Sequence, residues 1–385
     1  MKLLIITGDK SLAEGKRGAL YNTMEEFHKY WDRIDIICPK IQNPKSEILN
    51  KSKIRNSKPI PYTLNPIPFF DNVFIHPSPW PLILQPFWIL KKGKQIYKEQ
   101  KFNLMTVHEY PPFYNGIGAK LLHRKTKIPY VLEIMHVPGH PKSADFKELF
   151  YKLLVRLFVR FTAAEAQAVR IINKKETAKF LLKNGIPREK LVYIPAFYID
   201  LEIYRPMNII KEYKLIFIGR LAKNKGINLF LEAVRKLKVK AIIIGDGPLR
   251  NWVRSKIGDW GLGKYVNFYG WARDSKEIAQ LINKSEILIM PSYNEGGPRV
   301  VLEAMACGIP VLATPVGIVP DIIKDGESGR VIKWNARDIA NKATELLNDE
   351  NKRRNFGLNG LNIVQQFEKK RAIKNYADKL KEILR

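Results

Sequence analysis

Cysteine is nearly absent from these 385 residues: Cys38 and Cys307 are the only two, one in each half. Thiols so far apart in the chain make no disulfide framework and no metal-binding spacing. A reducing compartment is the simplest setting for them. Acidic residues are the second shortage. Asp and Glu number 37 against 66 Lys and Arg, a formal net charge of +29. Such an excess favours an anionic partner: nucleic acid, anionic lipid or a phosphorylated substrate. No RNA- or DNA-binding signature accompanies it, so no nucleic acid is expected. Long apolar runs are missing too. The opening KLLIIT is short and closed by Gly8-Asp9-Lys10, so it reads as a first strand rather than a signal peptide. The most apolar later stretch, residues 80–90, is broken by Pro81 and Pro86. It falls short of the ~20 residues that a spanning helix needs. The expectation is a soluble or peripheral protein, without low-complexity segments or short-period repeats.

What is present is enough apolar material for two cores, at 45% hydrophobic residues, in a chain whose length suits two domains. Residues 2–7 read as a buried strand, 15–18 as a glycine loop, 18–31 as a helix and 34–39 as a second strand. That order opens a Rossmann-like unit. Residues 40–68 are polar and proline-punctuated, the pattern of a long loop or insertion. Residues 79–101 interleave Trp80, Leu82, Phe87 and Trp88 with Lys91, Lys94, Lys98 and Lys101. A membrane-surface segment and a buried helix with a basic end fit equally well. Strands at 104–109 and 130–135 each deliver a histidine, His108 and His136, to the carboxyl edge where parallel sheets bind ligands. Residues 145–165 form a helical pattern with Phe150, Leu153, Leu154, Leu157, Phe158 and Phe161 on one face and Lys152, Arg156 and Arg160 on another. It reads as a core-packing helix with a solvated basic side, with membrane contact as the alternative. Residues 198–214, with Pro206, form the domain boundary, and the α/β alternation then restarts.

Two stretches of the second half carry the chemistry. A strand at 215–218 leads into Gly219-Arg220-Leu221 and then Lys225-Gly226. A glycine turn there puts Arg220 and Lys225 at the carboxyl edge of a sheet, beside a helix start. A forked guanidinium and a point-charge ammonium suit a pyrophosphate. The string is not a Walker loop, because G-x4-G-K-[ST] is absent. Further on, an apolar strand runs into PSYNEGGPRVVLE, residues 291–303, with Glu295 and Glu303 at the ends of a Glu-x7-Glu spacing. This is a strand, a glycine turn and a helix start. Free backbone N–H groups at such a start bind anions, and a carboxylate just inside the helix can hold sugar or ribose hydroxyls.

FIGRLAKNKGINLFLEAV, IIIGDGPLRNWV and PSYNEGGPRVVLEAMACGIPVLATPVG together resemble the donor half of the family 4 retaining glycosyltransferases, also called group 1. The likeness is strong over residues 215–329 and weaker but continuous before them, through the 15–18 loop, His136 and residues 194–200. It implies an α/β fold of GT-B architecture, two Rossmann-like domains with parallel sheets facing a central cleft. Residues 1–204 would be the acceptor domain and 205–366 the nucleotide-sugar donor domain, with 367–385 a helix returning to the first. Arg220 and Lys225 would neutralise the donor pyrophosphate as the leaving group gains charge. Glu303 would accept hydrogen bonds from the ribose, and Glu295 would sit against the transferred sugar. Backbone N–H groups of Gly296, Gly297, Arg299 and Val300 would meet sugar and phosphates. The base would lie near Gly270. Gly18 would let its loop approach the donor, and His136 would contact the sugar at the reacting face. The catalytic set is then His136, Glu295, Arg220 and Lys225. No metal and no cofactor is implied; the nucleotide sugar, such as a UDP- or GDP-sugar, is substrate. Front-face attack by the acceptor needs no protein nucleophile, so Glu295 and Glu303 are not a glycosidase pair.

Three departures bear on loop geometry. Arg17 occupies the place of a usual glycine. Residues 196–200, AFYID, replace the usual Asn-Gly-Val-Asp turn with one residue more. Pro298 stands where a small residue is usual. The basic, aromatic-rich first domain points to a saccharide or lipid-linked acceptor, such as a glycolipid, at a membrane surface. That would place the protein in the cytoplasm, peripheral at the inner face of the cell membrane. A soluble sugar or sugar phosphate fits the basic cleft as well. A nucleotide-sugar epimerase or phosphorylase on the same architecture is an alternative, as is a non-catalytic anionic-lipid-binding protein.

Overall fold

The computed structural model describes residues 1–16, 18–41 and 67–384. Arg17 and most of the 40–68 stretch lie outside the described residues. The first domain runs β1 (Lys2–Ile6), α1 (Ala19–Phe27), β2 (Arg33–Cys38), β3 (Ile67–Phe69), β4 (Val73–Pro77), α2 (Gln85–Gln100), β5 (Leu104–His108), α3 (Tyr114–Thr126), β6 (Tyr130–Ile134), α4 (Phe146–Ala163), β7 (Ala168–Ile171), α5 (Thr177–Lys183) and β8 (Leu191–Tyr193). Its sheet has the order β3-β4-β2-β1-β5-β6-β7-β8. All pairs are parallel except β3 with β4. The inner strands, LLII in β1 and YVLEI in β6, are buried on both faces. That is why they read as continuous apolar runs instead of an alternating pattern.

The second domain repeats the plan: β9 (Tyr213–Ile218), α6 (Ile227–Leu237), β10 (Ala241–Ile244), α7 (Arg250–Asp259), β11 (Val266–Gly270), α8 (Ser275–Asn283), β12 (Ser285–Met290), α9 (Arg299–Ala306), β13 (Val311–Ala313), α10 (Val319–Ile322), β14 (Arg330–Val331), α11 (Ala336–Leu347) and α12 (Glu350–Val364). The order β11-β10-β9-β12-β13-β14 is parallel throughout. Helix starts are set locally. Asp274, Asn335 and Asp349 each accept a backbone N–H from three residues on, a cap that contributes about 1 kcal/mol. In α6 the apolar residues Ile227, Phe230, Leu231 and Val234 recur at helical spacing and are all buried. Each such side chain contributes roughly 2 kcal/mol by leaving water.

After α12 the chain crosses back. Ile199 and residues 367–369 exchange backbone hydrogen bonds of 2.7 and 3.0 Å. The last helix, α13 (Lys369–Glu382), then packs on α1. Tyr376 stacks on Phe27 and donates to Glu133 at 2.6 Å, inside a buried pair between Glu133 and Arg170. Removing one member of such a pair leaves a buried charge uncompensated, at a cost of about 3–5 kcal/mol.

One sequence expectation is overturned. Helix α4 does not bury the face formed by Phe150, Leu153, Leu157, Phe158 and Phe161; all five are exposed. Its buried residues are Val155, Val159, Thr162 and Ala163; of the expected set, Leu154 packs against the core and the half-exposed Phe158 stacks on the core residue Phe113. Smaller side chains let α4 lie close on the first domain, and the larger ones are turned outward. In the 79–101 segment the buried-helix reading holds for part of the stretch. Trp88, Ile89 and Ile96 are buried in α2, while Leu82, Ile83, Leu84 and Phe87 are exposed.

Candidate active site

In each sheet the strand order reverses at one point: between β1 and β5, and between β9 and β12. Crevices at such points, outside the carboxyl ends of the strands, are where open α/β sheets bind ligands. Here the two crevices face each other. A cavity of about 420 Å³ lies between them, lined from the first domain by Asp9, Thr23, His108 and His136 and from the second by Glu295 and Arg299.

The loops after β9 and β12 are stitched together by backbone. Residues 223–225 form a tight turn that ends at Gly226, whose φ of +66° belongs to the left-handed region. A Cβ at Gly226 would stand 2.1 Å from the carbonyl oxygen of Pro291, so only glycine fits. Tyr293 N–H donates to the Asn224 carbonyl at 2.7 Å. This contact carries Lys225 Nζ to 2.5 Å from Glu295 Oε1, and Ser292 Oγ donates to the same oxygen at 2.9 Å. Arg220 is exposed beside them. It has no carboxylate partner among the described residues. Of the two expected cations, then, one is held by a carboxylate and the other is free for an anion.

The glycine turn is pressed against the opposite domain. A Cβ at Gly296 would lie 2.3 Å from the Met135 carbonyl oxygen. That close approach sets the Glu295 loop directly on the end of β6, next to His136. The backbone N–H groups of Gly296, Gly297, Arg299 and Val300 donate to no protein acceptor among the described residues. Unused donors at the start of α9 form an anion-binding arrangement. Gly270 ends β11 with φ +85°, and its carbonyl accepts from Gly245 N–H at 2.6 Å; the neighbouring Trp271 is largely exposed. Gly18 caps α1 in extended backbone, so its place in the loop does not depend on glycine's conformational freedom.

Burial sets the protonation states. His136 is pushed below the usual imidazole range by desolvation; Lys225 adds to this and the Glu295 carboxylate opposes it. It is therefore a neutral ring at pH 7, and its buried Nδ1 has no protein partner. His108 is lowered by burial as well, and its Nδ1 meets Thr7 Oγ1 at 3.0 Å. Glu303 is raised to about 7 by desolvation, against the pull of Arg299 and a hydrogen bond with Tyr204. A carboxyl poised there can accept hydroxyl donors in its ionised form.

Several contacts that close the cleft had no signature in the sequence. Asn294 Nδ2 donates to Glu148 Oε2 at 2.7 Å and to the Lys142 carbonyl at 3.0 Å. Gly317 N–H donates to Glu176 Oε2 at 2.7 Å, and Lys174 N–H to Asp321 Oδ2 at 2.6 Å. Each joins residues more than a hundred positions apart, which no local pattern records. Among the described residues no three His, Cys, Asp or Glu side chains are grouped as metal ligands.

Comparison with known proteins locates the likeness. Residues 203–362 match the family model for glycosyl transferases group 1. N-acetyl-alpha-D-glucosaminyl L-malate synthase of Bacillus anthracis is 24% identical over 338 residues, covering 78% of this chain and 87% of that protein. N,N'-diacetylbacillosaminyl-diphospho-undecaprenol alpha-1,3-N-acetylgalactosaminyltransferase of Campylobacter jejuni is 26% identical over 303 residues, covering 74% and 79%. The crystal structure of Anabaena Alr3699/HepE in complex with UDP and glucose matches the fold with a TM-score of 0.72 at 18% identity, over 99% of this chain and 100% of that one. Two Rossmann-like α/β domains in GT-B arrangement are thus shared across both halves.

Proposed function

We infer that this chain, a glycosyltransferase resembling the group 1 family, moves a hexose-type sugar from a nucleotide diphosphate donor to a saccharide acceptor with retention at the anomeric carbon. The observation that carries this reading is the meeting of Lys225, Glu295 and the unused N–H groups of residues 296–300 at the cleft, with Arg220 beside them.

The chemistry follows from charge. As the bond from the anomeric carbon to the phosphate oxygen breaks, negative charge grows on the leaving diphosphate. Arg220 and Lys225 neutralise it, and fixed cations in a site shielded from water supply much of the rate enhancement. Lys225 is already aligned by Glu295, so it loses little freedom on binding. Glu295 then takes the sugar hydroxyls on its remaining lone pairs. Glu303 accepts from the ribose. The neutral ring of His136 lies on the sugar side of the cleft and offers an uncharged partner to a sugar hydroxyl. The acceptor hydroxyl enters from the first domain on the face the leaving group departs from, and its proton passes to the departing phosphate oxygen. No protein nucleophile is needed. The donor is a UDP- or GDP-hexose and the acceptor a saccharide carried on a lipid.

The test is donor turnover across a set of nucleotide sugars, with Arg220→Ala and Glu303→Ala beside the wild type. Turnover with one donor and its collapse in Arg220→Ala supports the assignment. Unchanged donor affinity in both variants refutes it.

A further inference from the structure

One flank of the first domain has no part in transfer chemistry. Helix α4 is apolar on two opposite sides. Val155 and Val159 face the core. On the other side Phe146, Leu149, Phe150, Leu153, Leu157 and Phe161 recur at three- and four-residue steps and stand in solvent, Phe146 exposed by 88% and Leu157 by 63%. The exposed Leu82, Ile83, Leu84 and Phe87 extend the same flank. Leu82 and Tyr110 line one cavity, and the Tyr110 ring lies 6.5 Å from that of Tyr151 on α4. Most exposed large hydrophobic side chains among the described residues lie here, and the others are scattered singly. A soluble surface rarely gathers so much apolar area without a partner.

The charge beside this face has one sign. Lys152 and Arg156 of α4 line a groove of about 470 Å³ together with Lys175, Lys179 and Lys183. Arg156, Lys179 and Lys183 have no carboxylate partner among the described residues. Glu176, the one acidic residue in the groove, is committed to Gly317 N–H. On the far side Lys91 and Lys94 of α2 are exposed. A second copy of the chain would bring like charges together, in a molecule of net charge +29. A nucleic acid would match the cations and leave the phenylalanines in water.

We propose that this flank docks on an anionic lipid bilayer, with α4 lying in the interface, its apolar side inserted and the lysine groove against headgroup phosphates. An apolar stripe flanked by Lys and Arg is the pattern of an interfacial helix, and anionic headgroups strengthen binding roughly fivefold per nearby cation. No described helix is long and apolar enough to cross a membrane. The first turn of α4 also reaches the cleft, because Glu148 bonds Asn294, the neighbour of Glu295. A docked α4 therefore holds the cleft at the membrane surface, within reach of a lipid-carried acceptor. The inference rests on surface residues that donor binding does not use.

Co-sedimentation with vesicles tests it without any donor. Vesicles of phosphatidylcholine with phosphatidylglycerol should bind the full chain at least about tenfold more tightly than phosphatidylcholine alone, and added salt should weaken the difference. A Leu153→Gln, Leu157→Gln double variant should lose about tenfold or more in affinity for the anionic vesicles. Arg156→Gln, Lys179→Gln, Lys183→Gln should lose the preference for phosphatidylglycerol. All five positions lie outside the core, so unchanged melting curves and unchanged nucleotide binding should accompany both losses. Wild-type protein that binds neither vesicle, or variants that bind as the wild type does, overturns the proposal. So does a wild-type dimer in sedimentation velocity that Leu153→Gln, Leu157→Gln converts to monomer, since a second copy would then cover the face. Lost vesicle binding with retained donor turnover separates this failure from failure of the transfer reading.

Discussion

The two domains meet on one cleft but furnish it differently. The second domain supplies a compact set, Arg220 and Lys225 from one loop and Glu295 to Glu303 from the next, joined where Gly226 meets the Pro291 carbonyl. The first domain supplies single residues from separate strands: Asp9 after β1, His108 from β5, His136 after β6. Groups carried on one loop and the helix start after it are close in sequence, so each of these two loops leaves its own short motif, although Lys225 and Glu295 lie 70 positions apart. Residues delivered singly from separate strands share no motif; His108 and His136 are legible only as the ends of their strands.

The strongest way to break this contrast is to remove the charges proposed to hold the donor. Lys225→Ala or Arg220→Ala should lower kcat/KM by about 100- to 1000-fold, measured by donor turnover, with most of the loss in kcat. A comparable loss from first-domain surface variants would erase the distinction. Next in size is the close approach at Gly296. Gly296→Val forces a side chain against the Met135 carbonyl and should destabilise the protein by roughly 2–3 kcal/mol in denaturant titration. A neutral result would mean that the domains do not press together there.

Glu176 sharpens the comparison, because it ties the domains by a titratable group. Burial raises it to about 8, and Asp321 and Glu295 push in the same direction. A folded-state value above the unfolded one means that the protonated form favours folding. That contribution is complete below about pH 4.5 and is lost as pH rises through about 8. Between pH 6 and pH 9 the wild type should lose roughly 2–3 kcal/mol through this group. Glu176→Gln keeps an acceptor for Gly317 N–H and should flatten that share of the pH–stability profile. Glu109, also raised to about 8 by burial, will leave a remaining slope in the variant. Smallest is Glu303→Gln, which should weaken nucleotide binding by about tenfold at pH 8 through loss of charged hydrogen bonds. In the wild type, affinity should rise with pH through about 7 as the carboxylate forms. A flat affinity profile would remove Glu303 from the ribose.

The alternation of apolar runs and helical patterns made the two-sheet plan legible, because buried parallel strands have no other composition available. The two loops of the second domain were legible for the reason given above. Three things were not. Helix α4 carries apolar residues on both sides, and periodicity says that a helix has an apolar face without saying what it meets: Leu157 and Phe230 sit in similar patterns, one in solvent and one in the core. The short strands β3 and β14, of three and two residues, are defined by their neighbours and not by their own sequence. The contacts Asn294–Glu148 and Glu176–Gly317 exist only once two distant surfaces have come together.

Calorimetric titration of nucleoside diphosphates into the wild type and into an Arg220→Ala, Lys225→Ala double variant tests the donor site most directly. Tight binding of one nucleotide to the wild type, weakened about 100-fold or more in a variant that melts normally, is the predicted result. Equal affinity in the two proteins would contradict the site.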